Sequence, residues 1–330
     1  MKHERKQCIT RREWIAGAAG TIALSGCSRN QPVDATRPVG PKPVVSVLRA
    51  PAYTQDLYDT MRRLLADQRL DVRGKRVVIK PNLVEFDRNT AINTHPLLVH
   101  AAFEAFRASG AASVKIAEGP GHRRNTLDLA DAAGYFSTVP KFEDAFTDLN
   151  LDEISKHSLR LPLSKLRDIY LPNTILGADL VVSMPKMKTH HWVGATLSMK
   201  NFFGIVPGGV YGWPKNVLHW SGIDGCIVDL QSVPARTFAI VDGIVGMEGN
   251  GPIQGTPKQC GVIVAGRVLP AVDATCARIM GIDPNKVVYL NPPDRPHYND
   301  ESLITIAGES LHTVRTDFHL IKEWSELRLA

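Results

Sequence analysis

The chain is short of several things that would settle its chemistry at once. It has five cysteines among 330 residues, and no two of them form a Cys-x-x-Cys pair. That excludes a local iron–sulfur or zinc-knuckle signature, so no iron–sulfur cluster is expected. No Gly-x-x-x-x-Gly-Lys-Ser/Thr loop is present, and no Gly-x-Gly-x-x-Gly turn follows the first expected strand. A nucleoside-triphosphate loop and a standard dinucleotide site are therefore unsupported. The helical His-x-x-x-His metal pattern is missing. Long apolar runs are missing too: Ile15–Leu24 is too short to span a bilayer as a mature helix. An excess of positive charge is only superficially present. The formal net charge is +6, but residues 1–26 hold five of the 39 Lys/Arg and two of the 33 Asp/Glu, leaving +3 for residues 27–330. No basic stripe remains, and nucleic acid is not an expected partner.

What is there starts with the leader. Thr10-Arg11-Arg12-Glu13-Trp14-Ile15 resembles a twin-arginine export signal, and Leu24-Ser25-Gly26-Cys27 resembles a lipobox. By that resemblance the twin-arginine export machinery is a partner. Cys27 becomes the lipidated first residue of an exported protein, anchored to a membrane facing the periplasm or the cell exterior. The plainer alternative is a short N-terminal helix with a chance arginine pair. Residues 27–43 are rich in proline and poor in apolar side chains, as in a flexible tether. Cys226, Cys260 and Cys276 are widely spaced in apolar surroundings and read as buried free thiols.

From Val44 the pattern is that of an α/β fold: a mostly parallel sheet flanked by helices. Continuous apolar runs at 44–48, 77–80, 113–117, 180–183, 238–241 and 261–265 read as strands covered on both faces. Helical spacing marks 53–67 (with Thr54 as N-cap), 96–109 (after Thr94), 126–133, 195–203, 221–233 and 271–280, and a further strand is expected at 287–290. The rhythm breaks at 135–175, where a small inserted β segment with strands at 158–161 and 168–171 is expected. The glycine- and proline-rich stretch 204–214 reads as a mobile loop, and Leu303–Ile321 as two strands of a β-rich tail. The domain expectation is a signal at 1–26, a tether at 27–43, one α/β domain at 44–300, and C-terminal strands packed on it at 301–330.

Chemistry gathers at four strand ends: Lys80-Pro-Asn82, Glu118-Gly-Pro-Gly-His122, Lys186 to His191, and Asp242 to Asn250. In an open parallel sheet the carboxyl ends of the strands share one edge and ligands bind in the crevice there. Met184–Asn201 carries three lysines and two histidines with no carboxylate, and uncompensated cations beside a buried strand call for an anion. The expected ligand-binding set is Lys80, Asn82, Glu118, Gly119, Lys186, Lys188, His191, Lys200, Asn201 and Asn250. His190, Glu248 and Asp242 are the candidate catalytic groups for moving protons. Asp242 with Glu248 is the candidate site for a divalent cation, the one cofactor considered. Each of these residues has a structural alternative. Asp242 can cap a turn, Glu248 can be a loop-tip carboxylate, Asp273 can pair with a lysine, and Trp192, Tyr211 and Trp213 can be packing aromatics.

Lys80-Pro-Asn82, Pro185-Lys-Met-Lys-Thr-His190, Ser198-Met-Lys-Asn-Phe-Phe-Gly204, Asp242 to Pro252 and Ala271-Val-Asp273 together resemble the signature blocks of the family catalogued as domain of unknown function 362. The resemblance covers roughly residues 44–295. Some members carry a ferredoxin-type four-cysteine cluster, which this sequence lacks. The resemblance implies a fold and a pocket rather than a reaction. The sequence thus points to an extracytoplasmic lipoprotein enzyme acting on an anionic small molecule, carboxylated or phosphorylated. The alternatives are a tethered binding lipoprotein without catalysis and an assembly or interaction subunit.

Overall fold

A computed structural model describes residues 36–160 and 162–330. The expected signal and Cys27 lie outside the described residues. Of the expected tether, residues 36–43 are described. They form no regular element and are tied to the domain by His297 N–H donating to the Thr36 carbonyl (3.2 Å) and Thr305 N–H to the Pro43 carbonyl (2.9 Å). No helix among the described residues is long and apolar enough to cross a membrane.

The elements that position the site are, in chain order, β1 (Val44–Arg49), α1 (Leu57–Asp67), β2 (Arg76–Pro81), α2 (Pro96–Ala108), β3 (Ser113–Glu118), α3 (Thr126–Ala132), β4 (Phe146–Asp148), β5 (Ile154–Ser158), β6 (Asp168–Pro172), β7 (Leu180–Met184), β8 (Lys186–His190), β9 (Gly194–Thr196), α4 (Ile223–Leu230), β10 (Thr237–Glu248), β11 (Thr256–Gly266), α5 (Leu269–Ile279) and β12 (Thr305–Gly308). The main sheet runs β12-β1-β11-β10-β7-β2-β3-β4, and β8 pairs with β10 and β9. It is mostly parallel. The exceptions are β11, antiparallel to both β1 and β10, and β9, antiparallel to β8. β5 and β6 form a separate antiparallel pair, the inserted segment expected near 135–175, with its first strand four residues earlier than expected.

Strand alternation fills two cores. Val78, Val181, Val241 and Val264 point to one face, under α4 and α5. Val77, Ile79, Leu180, Val182 and Ile240 point to the other, under α1 and α2. A period of two with both faces buried is why these strands read as unbroken apolar runs. α1 buries Leu57, Met61, Leu64 and Leu65, one stripe at helical spacing. α2 buries a wider face that includes Leu98, Phe103 and Phe106.

Several boundaries differ from the sequence reading, each for a tertiary reason. α1 starts at Leu57 rather than at Tyr53, because the Tyr53 hydroxyl donates to Asp242 (2.8 Å). Thr94 does not cap α2. It joins two strand ends, accepting from Asn82 N–H (2.8 Å) and donating to the Met184 carbonyl (2.5 Å), while His95 caps the helix by accepting from Leu97 N–H. The helix expected at 195–203 is instead strand β9 followed by a 3-10 turn, Lys200–Ile205. The expected loop after Val241 is the second half of β10, because β11 supplies it with antiparallel partners. The segment 287–290 is a 3-10 turn, Val288–Leu290, since four apolar residues carry too little periodicity to tell a strand from a buried turn. In the tail, one of the two expected strands is present as β12, and Leu311–Val314 is a helical turn.

The order of the strands decides where a ligand can go. From β2 the chain steps outward to β3 and β4, then returns to β7 on the other side of β2 and continues to β10. Connections leave β2 and β7 in opposite directions, which opens a crevice at their carboxyl ends.

Phe106, fully buried between α2 and the sheet, tests the packing. Phe106→Ala should lower unfolding free energy by about 3–5 kcal/mol, read as a shift of the urea midpoint by circular dichroism. An unchanged midpoint would mean that α2 does not close this core.

Candidate functional site

At the carboxyl end of β2 and β3, Lys80 and Glu118 face each other across the parallel pair. The Lys80 ammonium donates to Glu118 Oε2 (2.7 Å), to Asn201 Oδ1 (3.2 Å) and to the Pro81 carbonyl (3.1 Å), which uses all three of its protons. Glu118 also accepts from the backbone N–H of Leu83 (3.2 Å) and of Gly119 (2.9 Å). Burial pulls the Lys80 pKa down, and Glu118 pulls it back up. A buried pair is tolerable only when every group is satisfied in this way. Gly204 closes over it. A β-carbon there would lie 2.5 Å from Lys80 Nζ and closer still to Glu118 Oε1, so only glycine lets the backbone lie against the ion pair.

The turn that brings Lys200, Asn201 and Gly204 here is held from α5. Asp273 accepts from the backbone N–H of Ser198 (2.8 Å) and of Met199 (2.9 Å) and from the Ser198 hydroxyl. This explains the missing helix at 195–203: a carboxylate takes the N–H groups that would otherwise have to close helical bonds. Burial pushes the Asp273 pKa up to about 7, against the pull of those donors. Asn201 Nδ2 then donates to the Lys80 carbonyl and to Ser183 Oγ (3.1 Å each), locking the turn to β2 and β7.

Beside the ion pair lies a cavity of about 420 Å³. Four lysines line it (Lys80, Lys188, Lys200 and Lys215), with four histidines (His122, His190, His191 and His219) and a single carboxylate, Glu118. Since Lys80 is matched to Glu118, three ammonium groups have no carboxylate among the described residues. Lys188 Nζ donates to the carbonyls of Ile92 (2.9 Å) and Pro252 (3.1 Å), and Lys215 Nζ to that of Gly119 (2.6 Å). Lys200 has no hydrogen-bond acceptor among the described residues. Its ammonium lies 3.4 Å from the centroid of the Phe203 ring. Burial holds all three below the usual lysine range, with repulsion from neighbouring lysines adding to it; Lys200 and Lys215 fall to about 7. His190 Nδ1 accepts from Trp192 N–H (3.0 Å), which leaves the proton of the neutral ring on Nε2. Burial, then Lys200, holds its pKa well below the ordinary value. The same two causes lower His219 to about 4. Asn82 Oδ1, His122 Nδ1 and Thr196 Oγ1, on residues that also line the cavity, are buried without a partner.

Of the expected ligand set, Lys80, Asn82, Glu118, Gly119, Lys188, His191, Lys200, Asn201 and Asn250 line this cavity, and so does the candidate catalytic His190. Lys186, Asp242 and Glu248 do not. Lys186 Nζ donates to Asp242 (2.6 Å) and to the Tyr53 hydroxyl (2.9 Å), and Asp242 also accepts from Tyr53 and from His95 N–H (2.9 Å). This is a second closed ion pair. It joins β8 and β10 to the start of α2 and borders a separate cavity of about 360 Å³. Tyr53 stacks on His95 (3.7 Å between centroids), and burial lowers the His95 pKa to about 4. Glu248 accepts from His319 N–H (2.8 Å) and pairs with Lys258 (3.2 Å). Asp242 and Glu248 are thus engaged with different partners and do not converge on a cation. Among the described residues no cluster of three or more His, Cys, Asp or Glu is placed to hold one. The aromatics also divide. Trp192 lines the cavity, Tyr211 accepts from Tyr170 N–H, and Trp213 packs on Gly208. The stretch 204–214, expected as a mobile loop, contains a helical turn at Gly208–Tyr211.

Lys215 is the functional candidate that the sequence reading missed. Lys215 follows a glycine-rich stretch and has φ +42°, a backbone setting no spacing rule reveals.

The family model described as domain of unknown function (DUF362) matches residues 77–278, from β2 to near the end of α5. Thylakoid-associated protein sll1697 of Synechocystis sp. (strain ATCC 27184 / PCC 6803 / Kazusa) is 26% identical over 231 residues, covering 67% of this chain and 68% of that protein. Among solved structures the chain is similar to the lactate racemase apoprotein from Thermoanaerobacterium thermosaccharolyticum, at 16% identity and TM-score 0.38, over 63% of this chain and 52% of that one. It is also similar to a structural-genomics target from Thermotoga maritima, at 14% identity and TM-score 0.35, over 69% of this chain and 59% of that one. The chain therefore spans between half and three-fifths of the length of those two structures.

The unneutralised ammonium groups make a stability prediction. The folded-state pKa of Lys200, about 7, lies below the ordinary 10.5. The penalty for burying its charge is complete below pH 7 and fades as pH rises toward 10.5, where the unfolded chain also loses the proton. Lys200→Met should therefore stabilise the ligand-free protein at pH 6 by on the order of 2 kcal/mol, with the gain shrinking at pH 10, as measured by urea unfolding. Equal or lower stability at pH 6 would show that the ammonium is already compensated.

Proposed function

The chain belongs to the family described as domain of unknown function DUF362, and on that premise we propose that it is an enzyme acting on an anionic small molecule, phosphorylated or carboxylated, bound in the cavity at the β2–β7 switch point. One observation carries the reading: Lys188, Lys200 and Lys215 enter a half-open cavity and form no ion pair with a carboxylate among the described residues. Burying three ammonium groups without a counter-charge is unfavourable, and an incoming anion supplies what the protein withholds. At an effective dielectric near 20, one ammonium about 4 Å from a unit negative charge contributes roughly 4 kcal/mol. Three such contacts give ample affinity after desolvation is subtracted.

Two features favour catalysis over passive capture. His190 is neutral, with a defined tautomer, and presents its Nε2–H to the cavity as a fixed hydrogen-bond donor. Lys200 and Lys215, near 7, exchange protons in the working pH range. The buried, partnerless atoms of Asn82, His122 and Thr196 are the polar groups that would orient the ligand.

We place the protein at a membrane surface as an exported lipoprotein held by acyl chains on Cys27. The leader and lipobox patterns support this, and the Synechocystis relative is by its name thylakoid-associated. Fractionation of cells expressing the full chain should find it with membranes and find Cys27→Ser released into the soluble fraction. Equal partition of the two would remove the lipid anchor from the proposal.

Pyrophosphate serves as the probe for the site. It should bind the full chain saturably by calorimetry at pH 6.5, and Lys200→Met or Lys188→Met should weaken it by at least about tenfold, or 1.4 kcal/mol. Binding raises the pKa of any ammonium it touches, so protons should be taken up near pH 7.5. Affinity should fall as pH climbs through 7 toward 9, because Lys200 and Lys215 are by then neutral in the free protein. Affinity that is flat from pH 6 to 9, or unaltered in both variants, would overturn the proposal.

A further inference from the structure

The four cavity lysines are not equivalent, and the difference assigns one of them a covalent task. Lys80 is consumed by Glu118, Asn201 and the Pro81 carbonyl. Lys188 and Lys215 are pinned by backbone carbonyls. Each of these points its charge in a fixed direction and is suited to holding an anion. Lys200 alone among them has no acceptor among the described residues. It rests on the face of Phe203 at the cavity wall, on a turn clamped by Asp273 and Asn201. An amine that is held in place, largely buried and free of acceptors has its lone pair available once the proton leaves.

Building on the anion-binding reading, we propose that Lys200 is a nucleophile that forms a Schiff base with the carbonyl carbon of a 2-oxo acid or a phosphorylated aldehyde, while Lys188 and Lys215 hold the carboxylate or phosphate.

The step balances without an external reagent. The neutral Lys200 amine attacks the carbonyl carbon and forms the C–N bond as the C=O π pair moves to oxygen. The nitrogen gives up its two protons, the oxygen takes them and leaves as water, and the C=N bond remains. Nothing is oxidised or reduced. The departing oxygen takes those protons from the amine, and His190, whose Nε2–H lines the same cavity, is placed to hydrogen-bond that oxygen. Burial is the main reason that Lys200 favours the neutral amine, and the neighbouring lysines add to it. Lys80 and Lys215 press on it from β2 and from the 215 turn, and His190 and His219 stay neutral beside it. Asp224 and Cys226 on α4 act the other way, and the Phe203 ring favours the cation by a modest amount. The balance still leaves the amine about half deprotonated at pH 7, against roughly one part in 2,500 for an exposed lysine.

Glyoxylate with cyanoborohydride tests this on the full chain at pH 7. Reduction of the imine would leave one carboxymethyl group on the lysine that formed it, located by peptide mapping. We expect Lys200 to be labelled on the order of a hundredfold faster than exposed lysines, with labelling suppressed by pyrophosphate and its rate rising with pH to a plateau above about 7. In Lys200→Arg, which keeps a cation but has no nucleophilic amine, the fast label should vanish. Pyrophosphate binding by the wild-type protein with Lys200 unlabelled, or labelled no faster than surface lysines, overturns the Schiff-base assignment and leaves the anion site standing. Absence of both pyrophosphate binding and the fast label overturns the two together.

Discussion

Among the described residues five lysine side chains end in the interior along one edge of the sheet, Lys80, Lys186, Lys188, Lys200 and Lys215, and carboxylates meet two of them. Burying an ammonium group is among the more unfavourable things a fold can do, and the surrounding structure is arranged to make it tolerable. Where a carboxylate is present, the pair is closed on itself. Lys80–Glu118 and Lys186–Asp242 have contacts of 2.7 and 2.6 Å, and both carboxylates take further backbone N–H donors. These pairs act as rivets. One joins β2, β3 and the Lys200–Ile205 turn; the other joins β8, β10 and the start of α2. The three remaining lysines are supported only by carbonyl dipoles or an aromatic face.

This division separates paired charge from charge that no carboxylate meets. A rivet has no capacity left for a ligand, and its partners point inward. The lysines without a carboxylate share a cavity in which Asn82 Oδ1, His122 Nδ1 and Thr196 Oγ1 are buried without a partner. Proteins tolerate unsatisfied polar groups chiefly where function requires them. Stability is thus given up locally at the cavity, and two packed hydrophobic layers on either side of the sheet supply it elsewhere.

Asp273 shows how distant parts of the chain cooperate. It stands on α5, outside the cavity, yet it sets the path of the turn that carries Lys200, Asn201 and Gly204. Gly204 in turn must lack a side chain because the Lys80–Glu118 pair occupies the space where one would go. Residues 80, 118, 204 and 273 form one mechanical unit from four separate segments.

Composition and periodicity alone determined the α/β class, the strands that are covered on both faces, the helices with a clear apolar stripe, and the clustering of polar residues at strand ends. Those properties are local, and a window of a dozen residues contains the physics that produces them. Tertiary structure decided which lysine meets which carboxylate. Lys186 and Lys188 are two residues apart on β8, yet one is riveted to Asp242 and the other enters the cavity, and nothing in their spacing distinguishes them. The same holds for Asp242, which reads as a strand-end acid by sequence but whose oxygens are claimed by Tyr53, His95 and Lys186 from three other segments. Lys215 was invisible for the converse reason, since its place in the cavity follows from a left-handed backbone turn. A charge is read from one letter, but its balance depends on every group within a few ångströms, and the chain brings those groups together only when it folds.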